Sequence, residues 1–595
     1  MDRAGLAATY NKRNAEFEAL HNRQKKVLFW ISILRLLVII AAVYFLVLAV
    51  KSEFHVLLLV SGLLVVLFFA LVSYHKNQND RKKLLQELIR INQEELRGLD
   101  NDLTAFGDGR NFSDPGHPWS YDLDLFGEGS LFQYINRTAT HTGPNKLAQG
   151  LTEAVTDENE INARQEMMKE LSGLINLRQH YAAHARLMKK DDDAFEDIVR
   201  WSDSNVFIEK YGWTRIAAWA MTTISSAIII AGIFIPDLFR LLVPVILVNF
   251  SLLSPFLSRT SRFHAQVSKK HNFLRTYAVL LDLLAAEKFS HPRLEETRKQ
   301  GASGSKAIEQ LSGLLGLFDQ RLNLLVGFVL NALFLFDFFM LHRFARWNRR
   351  HKDDFKAWLD IAGRMDSLFS FANFAFNHPD FTYPEISEKM NGMKALSLGH
   401  PLIPASRRVD NSIEITSERV VLITGANMAG KSTFLRAVGV NMVLTYAGCP
   451  VCAEHFVTGN YLLYSSMRTA DSLKDDESYF FAEIKRLERI VKLMEEGNKM
   501  LILLDEVLKG TNTTDKQKGS VGLIKKSIGH DVLCFIATHD LALGKLQDEN
   551  KGKVINYCFE SYIKDLELTF DYRIRPGLAK NMNASFLMKK MGIMD

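Results

Sequence analysis

The sequence predicts a multidomain chain: N-terminal transmembrane α-helices, an all-α middle and a C-terminal α/β domain of the P-loop type. Three observations predict it. Two apolar runs of about twenty residues lie within the first 74 positions, each long enough to cross a hydrocarbon core. The middle of the chain is coarsely helical, with charged amphipathic stretches. Late in the chain, a β-branched run leads into Gly425-Ala-Asn-Met-Ala-Gly430-Lys431-Ser432, and a second apolar run ends in Asp505-Glu506.

Composition sets the outer bounds. A chain of 595 residues is too long for one core, and three to five structural units are expected. Lys plus Arg is 73 against 67 for Asp plus Glu, which argues against a protein built mainly to neutralise a phosphate backbone while leaving room for a local basic patch. The four cysteines (Cys449, Cys452, Cys534, Cys558) fall in the C-terminal region, where nucleotide chemistry implies a reducing cytosol, so no disulfide framework is expected. Cys449-Pro-Val-Cys452 has CxxC spacing, but no second ligand pair follows, and buried thiols are the better account.

Residues 1–26 are read as a cytosolic N-terminal segment and 27–74 as a transmembrane hairpin. Its arms are Val27–Val50, charged only at Arg35, and Val56–Tyr74. Lysines and arginines flank both ends, so the positive-inside rule puts both flanks in the cytoplasm. No cleavable signal peptide is evident. Residues 75–211 are read as a helical stalk and the first part of a core. Within them Asn77–Asp100 is a charged amphipathic helix, and Lys189-Lys-Asp-Asp-Asp-Ala a charged turn. Residues 212–258 hold a second apolar pair, Ile216–Ile235 and Leu238–Leu257, read as a second transmembrane hairpin or a buried helical hairpin. Residues 259–385 complete the core, with helices at His264–Ala286 and Ala307–Leu317 and a flexible break at Gly301–Lys306.

A fifth apolar stretch, Leu322–Leu341, contains Asn331 and Asp337. Five spans would leave the nucleotide motif outside the cell, so parity assigns this stretch to a soluble core helix. Two or four spans remain allowed. The expected location is the inner (cytoplasmic) membrane, multi-pass, with the core and residues 386–595 in the cytoplasm.

The C-terminal domain carries the chemistry. Arg419–Thr424 suits a buried parallel strand. The G-x-x-x-x-G-K-S pattern after it lets backbone N–H groups close around phosphate at the start of a helix over Phe434–Leu444. Lys431 then neutralises the β- and γ-phosphates, and Ser432 ligates Mg²⁺. Met500–Asp505 reads as a central strand. Asp505 would hold the Mg²⁺ shell, and Glu506 would orient or deprotonate the attacking water. Val532–Thr538 is another buried strand, ending at His539, which is placed to sense the γ-phosphate. Ser478 opens an amphipathic helix; it is a cap, or a contact to the γ-phosphate of a neighbouring subunit.

Taken together, "TGANMAGKSTFLRAVG", "SMRTADSL", "SYFFAE", "LLDEVLKGTNTTD" and "ATHD" resemble, in order and spacing, the MutS family of DNA mismatch-repair ATPases. Weaker similarity reaches back to Asp122 through "GHPLIPASRRVDNSIEI", "GSLFQYINRTATHTGPNKLAQGL" and "MDSLFSFANFAFNHPDFTYPEI". The resemblance implies a MutS-like helical core and an ABC-type ATPase domain. It also implies nucleotide contacts from Gly425, Asn427, Gly430, Lys431, Ser432 and Thr433. Asp505 and Glu506 would be the magnesium and water-activating pair, with His539 as a switch. Ser478 and Thr511-Asn512-Thr513 would complete the partner's site in a homodimer. Implied cofactors are ATP and Mg²⁺, and the implied partner is DNA.

The departures are as informative. Ala426 and Ala429 replace the usual Pro and Gly, and "VLKGTNT" replaces an Ile-Gly-Arg-Gly-Thr-Ser-Thr pattern. Membrane hairpin and linker stand where the mismatch-recognition and connector domains are expected. Phe126-Gly127-Glu128 matches the family's Phe-x-Glu wedge only superficially. Where the family extends a DNA-gripping clamp, this chain has its second apolar pair. Two functions follow. One is a membrane-tethered, nucleotide-gated dimeric clamp on DNA. The alternative is a membrane-embedded ABC-like ATPase that moves its own transmembrane helices without binding mismatched DNA. A pseudo-ATPase scaffold is disfavoured by intact Lys431, Asp505 and Glu506.

Overall fold

The computed structural model of the chain describes residues 2–52, 55–188, 192–203, 206–268, 270–468, 479–508, 510–564 and 567–580. α1 (Arg3–Ser52) and α2 (His55–Leu99) pack side by side as a long hairpin. At 50 and 45 residues they measure about 75 and 68 Å, more than twice a hydrocarbon core. The N-terminal segment and the stalk are therefore the charged ends of one continuous hairpin, not separate units. Around the apolar part side chains face outward, with Trp30 and Leu63 about 70% exposed. In the seam, Ser61 Oγ donates to Ala42 O at 2.9 Å.

The charged ends dock on the helical core. After α3 (Leu131–Ile135) come α4 (Gly143–Thr152), α5 (Glu158–Gly173), α6 (Ile175–Arg186) and α7 (Asp192–Asp203). Residues 189–191 of the expected charged turn lie outside the described residues. Tyr10 donates to Asn377 Oδ1 at 2.7 Å, and buried Glu95 accepts from Arg137 (2.6 Å), Asn373 and Asn377 (3.0 Å each). Burial alone would raise the Glu95 carboxyl, but Arg137 and the two amides outweigh it and hold the carboxyl below its ordinary value.

The chain after α7 departs from expectation in three places. α8 (Trp213–Phe234) is followed by a 3₁₀ turn at Pro236, then α9 (Leu242–Leu253) and α10 (Leu257–Val267). Ile216, Ile233 and Phe234 are 69 to 80% exposed, which overturns the buried-hairpin alternative for 212–258. Among the described residues, four helical stretches, beginning at Arg3, Val56, Trp213 and Pro236, are long and apolar enough to cross a membrane, or five if the bent pair Pro292–Leu322 and Leu324–Phe334 forms one span. The expected helix at His264–Ala286 is divided between α10 and α11 (His271–Ala286). α12 (Pro292–Phe318) runs unbroken through Gly301–Lys306 and takes in Ala307–Leu317, because glycine there serves packing: a Cβ on Gly304 would lie 2.6 Å from the Trp358 ring.

Leu322–Leu341 is not a core helix. It contains α13 (Leu324–Phe334), bent by 103° from α12, then a break at Leu335 (φ 49°) and the start of α14 (Phe336–Asn377). Leu324 and Leu325 are 88% and 76% exposed. The polar residues that interrupt these apolar runs satisfy the broken backbone. Asn249 Nδ2 donates to Ala332 O at 2.7 Å, Thr222 Oγ1 to Phe334 O at 3.0 Å, and Asp337 N to Asn331 Oδ1 at 2.9 Å. Helix-terminal carbonyls in apolar surroundings require such partners.

α14, about 63 Å long, ties this apolar unit to the C-terminal domain. That domain begins with β1 (Glu385–Ile386), β2 (Met393–Leu398), β3 (Asn411–Ile415), β4 (Val420–Gly425), α15 (Lys431–Tyr446), β5 (His455–Thr458) and β6 (Leu462–Ser466). α16 (Tyr479–Glu495), β7 (Met500–Asp505), α17 (Thr513–Ile528), β8 (Val532–Thr538), β9 (Val554–Lys564) and β10 (Glu567–Pro576) follow. The main sheet has the order β10-β9-β4-β8-β7-β6, all parallel except β10 on β9. β4, β7 and β8 are buried almost throughout, which is why they read as uninterrupted apolar runs. A smaller sheet, β1-β5-β2-β3, flanks it.

Candidate phosphate site at the carboxyl edge of the sheet

Strand register assembles the site. Thr424 of β4 pairs with Thr538 of β8, and Ala537 of β8 with Asp505 of β7. The glycine loop, the paired acids and His539 therefore leave the sheet at one edge, where parallel α/β folds receive ligands. Gly425 and Gly430 take φ of 148° and 110°, and a Cβ on Gly425 would sit 2.6 Å from Phe559 O. Only glycine meets both demands. Gly430 then caps α15, whose N-terminus offers unpaired N–H groups to an anion.

Lys431 is buried, and its Nζ donates to Gly425 O and Ala426 O at 2.9 Å each, folded into the cradle it would share with phosphate. Ser432 Oγ donates to Asp505 Oδ2, so the two residues read as Mg²⁺ ligands already touch. An all-oxygen pair at the mouth of a phosphate loop fits magnesium. Glu506 has φ 51°, its N–H donates to Ala537 O at 2.9 Å, and His539 Nδ1 lies 3.6 Å from its Oε1. Asn427 sits exposed on the loop, and Thr433 lies on the outer face of α15. Asn512 caps α17, its Oδ1 accepting from Asp515 N at 2.9 Å, with Thr511 just before it. Ser478 lies outside the described residues.

Sequence reasoning missed several contributors. A cavity of about 220 Å³ beside Gly430 and Thr433 is walled by His400, Arg408, Phe559 and Tyr572, drawn from segments far apart in the chain. Burial, then Arg436 and Arg408, push the His400 imidazole down to about 4, so the wall is neutral there at pH 7. Glu483 Oε1 accepts from Leu508 N at 2.5 Å and fixes the turn after the acids, where Leu508 also has positive φ. Buried Asp122 accepts from Ser465 Oγ, Arg468 N and Arg486 Nη2 at 2.8 to 2.9 Å, tying the start of the core to β6 and α16. Glu483, His400, Arg408 and Arg468 stood inside quoted motifs without being singled out, and Asp122, Phe559 and Tyr572 carried no local signal.

Two readings are settled as packing. Phe126 lies against Phe112 and Phe132, with ring centres 5.8 and 5.6 Å apart, and serves the core. Cys449 and Cys452 are buried, and burial pushes the Cys452 thiol up to about 12.

In this parallel α/β domain a glycine-turned loop leads from β4 into a helix, and the paired acids end β7, one strand removed in the same sheet. Residues 421–590 match the family model for MutS domain V. The C-terminal part of the chain is therefore similar to MutS domain V. It is 30% identical over 251 residues to the DNA mismatch repair protein MutS of Haloquadratum walsbyi, covering 40% of this chain and 26% of that protein. It is 29% identical over 258 residues to the DNA mismatch repair protein MSH3 of Meyerozyma guilliermondii (41% and 27%). Endonuclease MutS2 of Thermotoga neapolitana is 26% identical over 246 residues (40% and 31%). The chain thus spans about a quarter to a third of the length of these relatives.

Proposed function

We propose that the chain is a membrane-anchored, MutS-like ATPase that works as a homodimer and engages DNA through its helical arms. The observation that carries the ATPase reading is the contact of Ser432 with Asp505 beside Lys431, Glu506 and His539. The triphosphate would lie along the Gly425–Gly430 loop, with its base in the cavity against Tyr572 and Phe559. Lys431 would leave the Gly425 and Ala426 carbonyls for phosphate oxygens. Ser432 and Asp505 would hold Mg²⁺, which neutralises charge on the β- and γ-phosphates when bound. Glu506, fixed by its backbone bond to β8, would orient the attacking water, with His539 holding the carboxylate. Ser478 and Thr511-Asn512 would reach the site of the second subunit. The DNA partner rests on the names of the relatives, and the bilayer on the exposed apolar helices.

Glu506→Gln tests the chemistry. Nucleotide binding should persist while turnover falls by about a hundredfold or more; normal turnover would remove Glu506 from this role.

One observation favours a second reading, in which hydrolysis moves the chain's own apolar helices. Arg408 and Ile403 border the base cavity and also a larger one of about 310 Å³, lined by Arg3, Leu99 and Asn377 at the base of the α1–α2 hairpin. Salt-sensitive retention of duplex or junction DNA by the detergent-purified dimer supports the clamp. ATPase activity indifferent to every DNA tested leaves the second reading.

A further inference from the structure

We infer that the groove between α12 and α14 is a binding site for an anionic phospholipid headgroup on the cytoplasmic side. This rests on the membrane-anchored reading above. The groove encloses about 430 Å³, and Arg343, Arg346 and Arg350 form one wall. Their spacing puts them on successive turns of a single face of α14. All three are exposed, and no carboxylate lies within ion-pair distance of them among the described residues. The ion pairs of this region go elsewhere, Arg349 to Glu209 at 3.9 Å and Lys356 to Asp203 at 2.7 Å. Three exposed guanidinium groups with no ion-paired carboxylate among the described residues, each able to fork onto a phosphate, form an anion-binding face.

The opposite wall is apolar, and that decides the source of the anion. Leu314 and Leu317 line it, Leu317 being 49% exposed. Trp347 forms part of the lining, with its Nε1 already donating to Ala307 O at 2.8 Å. Beyond Leu317 the apolar surface continues through Leu322, Leu324 and Leu325, 62 to 88% exposed. Along α14 the three arginines lie about 12 to 22 Å beyond the break at Leu335. A molecule with a phosphate at one end and an acyl chain at the other matches this order of surfaces. A nucleic-acid duplex would press charged backbone against bare leucine.

The test uses the full chain in mild detergent, stripped of lipid and offered equal amounts of phosphatidylglycerol and phosphatidylcholine with identical acyl chains. Bound lipid is counted by mass spectrometry. The wild type should favour phosphatidylglycerol. Arg343→Gln/Arg346→Gln/Arg350→Gln should lose about tenfold of that preference, while Arg275→Gln, an exposed change elsewhere, retains it. An equal preference in wild type and triple variant overturns the assignment. So does a 20-base-pair duplex that displaces the lipid and depends on the same arginines. An alkaline carbonate wash of the membranes is the separate control. Release of the chain without detergent would sink the membrane reading itself, whereas retention with equal preference sinks only the groove.

Discussion

Three histidines in the helical core and at its junction with the C-terminal domain are held neutral. His184 and His378 are pushed down to about 4 by burial, His184 also by neighbouring His180, and His400 is lowered as described. His378 is fully committed, to Phe374 O at 2.8 Å and to the Tyr134 hydroxyl at 2.7 Å. Between pH 6.5 and about 4 the unfolded chain binds protons at these sites that the native state refuses, so stability falls as pH falls. Asp366 works the other way. Burial raises it to about 6 against the hydrogen bonds from Thr140 and Ala139, so the native state takes up its proton first and gains stability on acidification. One offset against three leaves a net loss on the order of 4 kcal/mol between pH 7 and 5. Melting followed by intrinsic fluorescence should therefore drop by several degrees over that range, and His378→Gln should make the slope shallower. A flat profile would mean these rings are not buried as described.

At the scale of elements, two glycines of α12 make opposite predictions. Gly304→Ala drives a methyl to 2.6 Å from the Trp358 ring and should cost about 1–3 kcal/mol. At Gly316 nothing lies within 4 Å, and Gly316→Ala should gain about 0.5–1 kcal/mol. Denaturant midpoints of the two variants check both signs. The pair also shows what was legible in the sequence. "GASGSK" reads as a break because glycine weakens an isolated helix; its packing purpose exists only where α14 crosses. Likewise Asn249, Asn331 and Asp337 look like defects in apolar runs until the break at Leu335 shows which carbonyls and N–H groups need partners. By contrast β4, the glycine loop, β7 and β8 could be read directly. Buried parallel strands are continuous apolar runs, and Gly425 and Gly430 stand where the backbone takes positive φ. The Asp122–Arg486 tie and the wall at Tyr572 join segments more than a hundred residues apart, and no local pattern encodes them.

For the whole molecule the decisive quantity is the parity of crossings. α13, with 11 residues, is about 16 Å long, roughly half of a 30 Å hydrocarbon core, and it lies between two sharp breaks, 103° from α12 and Leu335 before α14. By itself it is too short to cross. On the membrane-anchored reading proposed above, the four long apolar stretches set the count among the described residues, and an even count keeps the glycine loop on the same side as the N-terminus. Single cysteines test this against a quiet background, because all four native thiols are buried. Lys51→Cys, at the tip of α1, and Asp237→Cys, between α8 and α9, should react with an impermeant maleimide added outside sealed right-side-out vesicles. Lys526→Cys, on α17, should react only after the vesicles are opened. If Asp237→Cys were protected until opening, the second apolar unit would lie within the inner leaflet without crossing, and the hairpin of α1 and α2 alone would anchor the chain. If Lys526→Cys reacted from outside, the sheet edge that carries Lys431 and Asp505 would face away from cytosolic nucleotide, and the ATPase reading would fall with it.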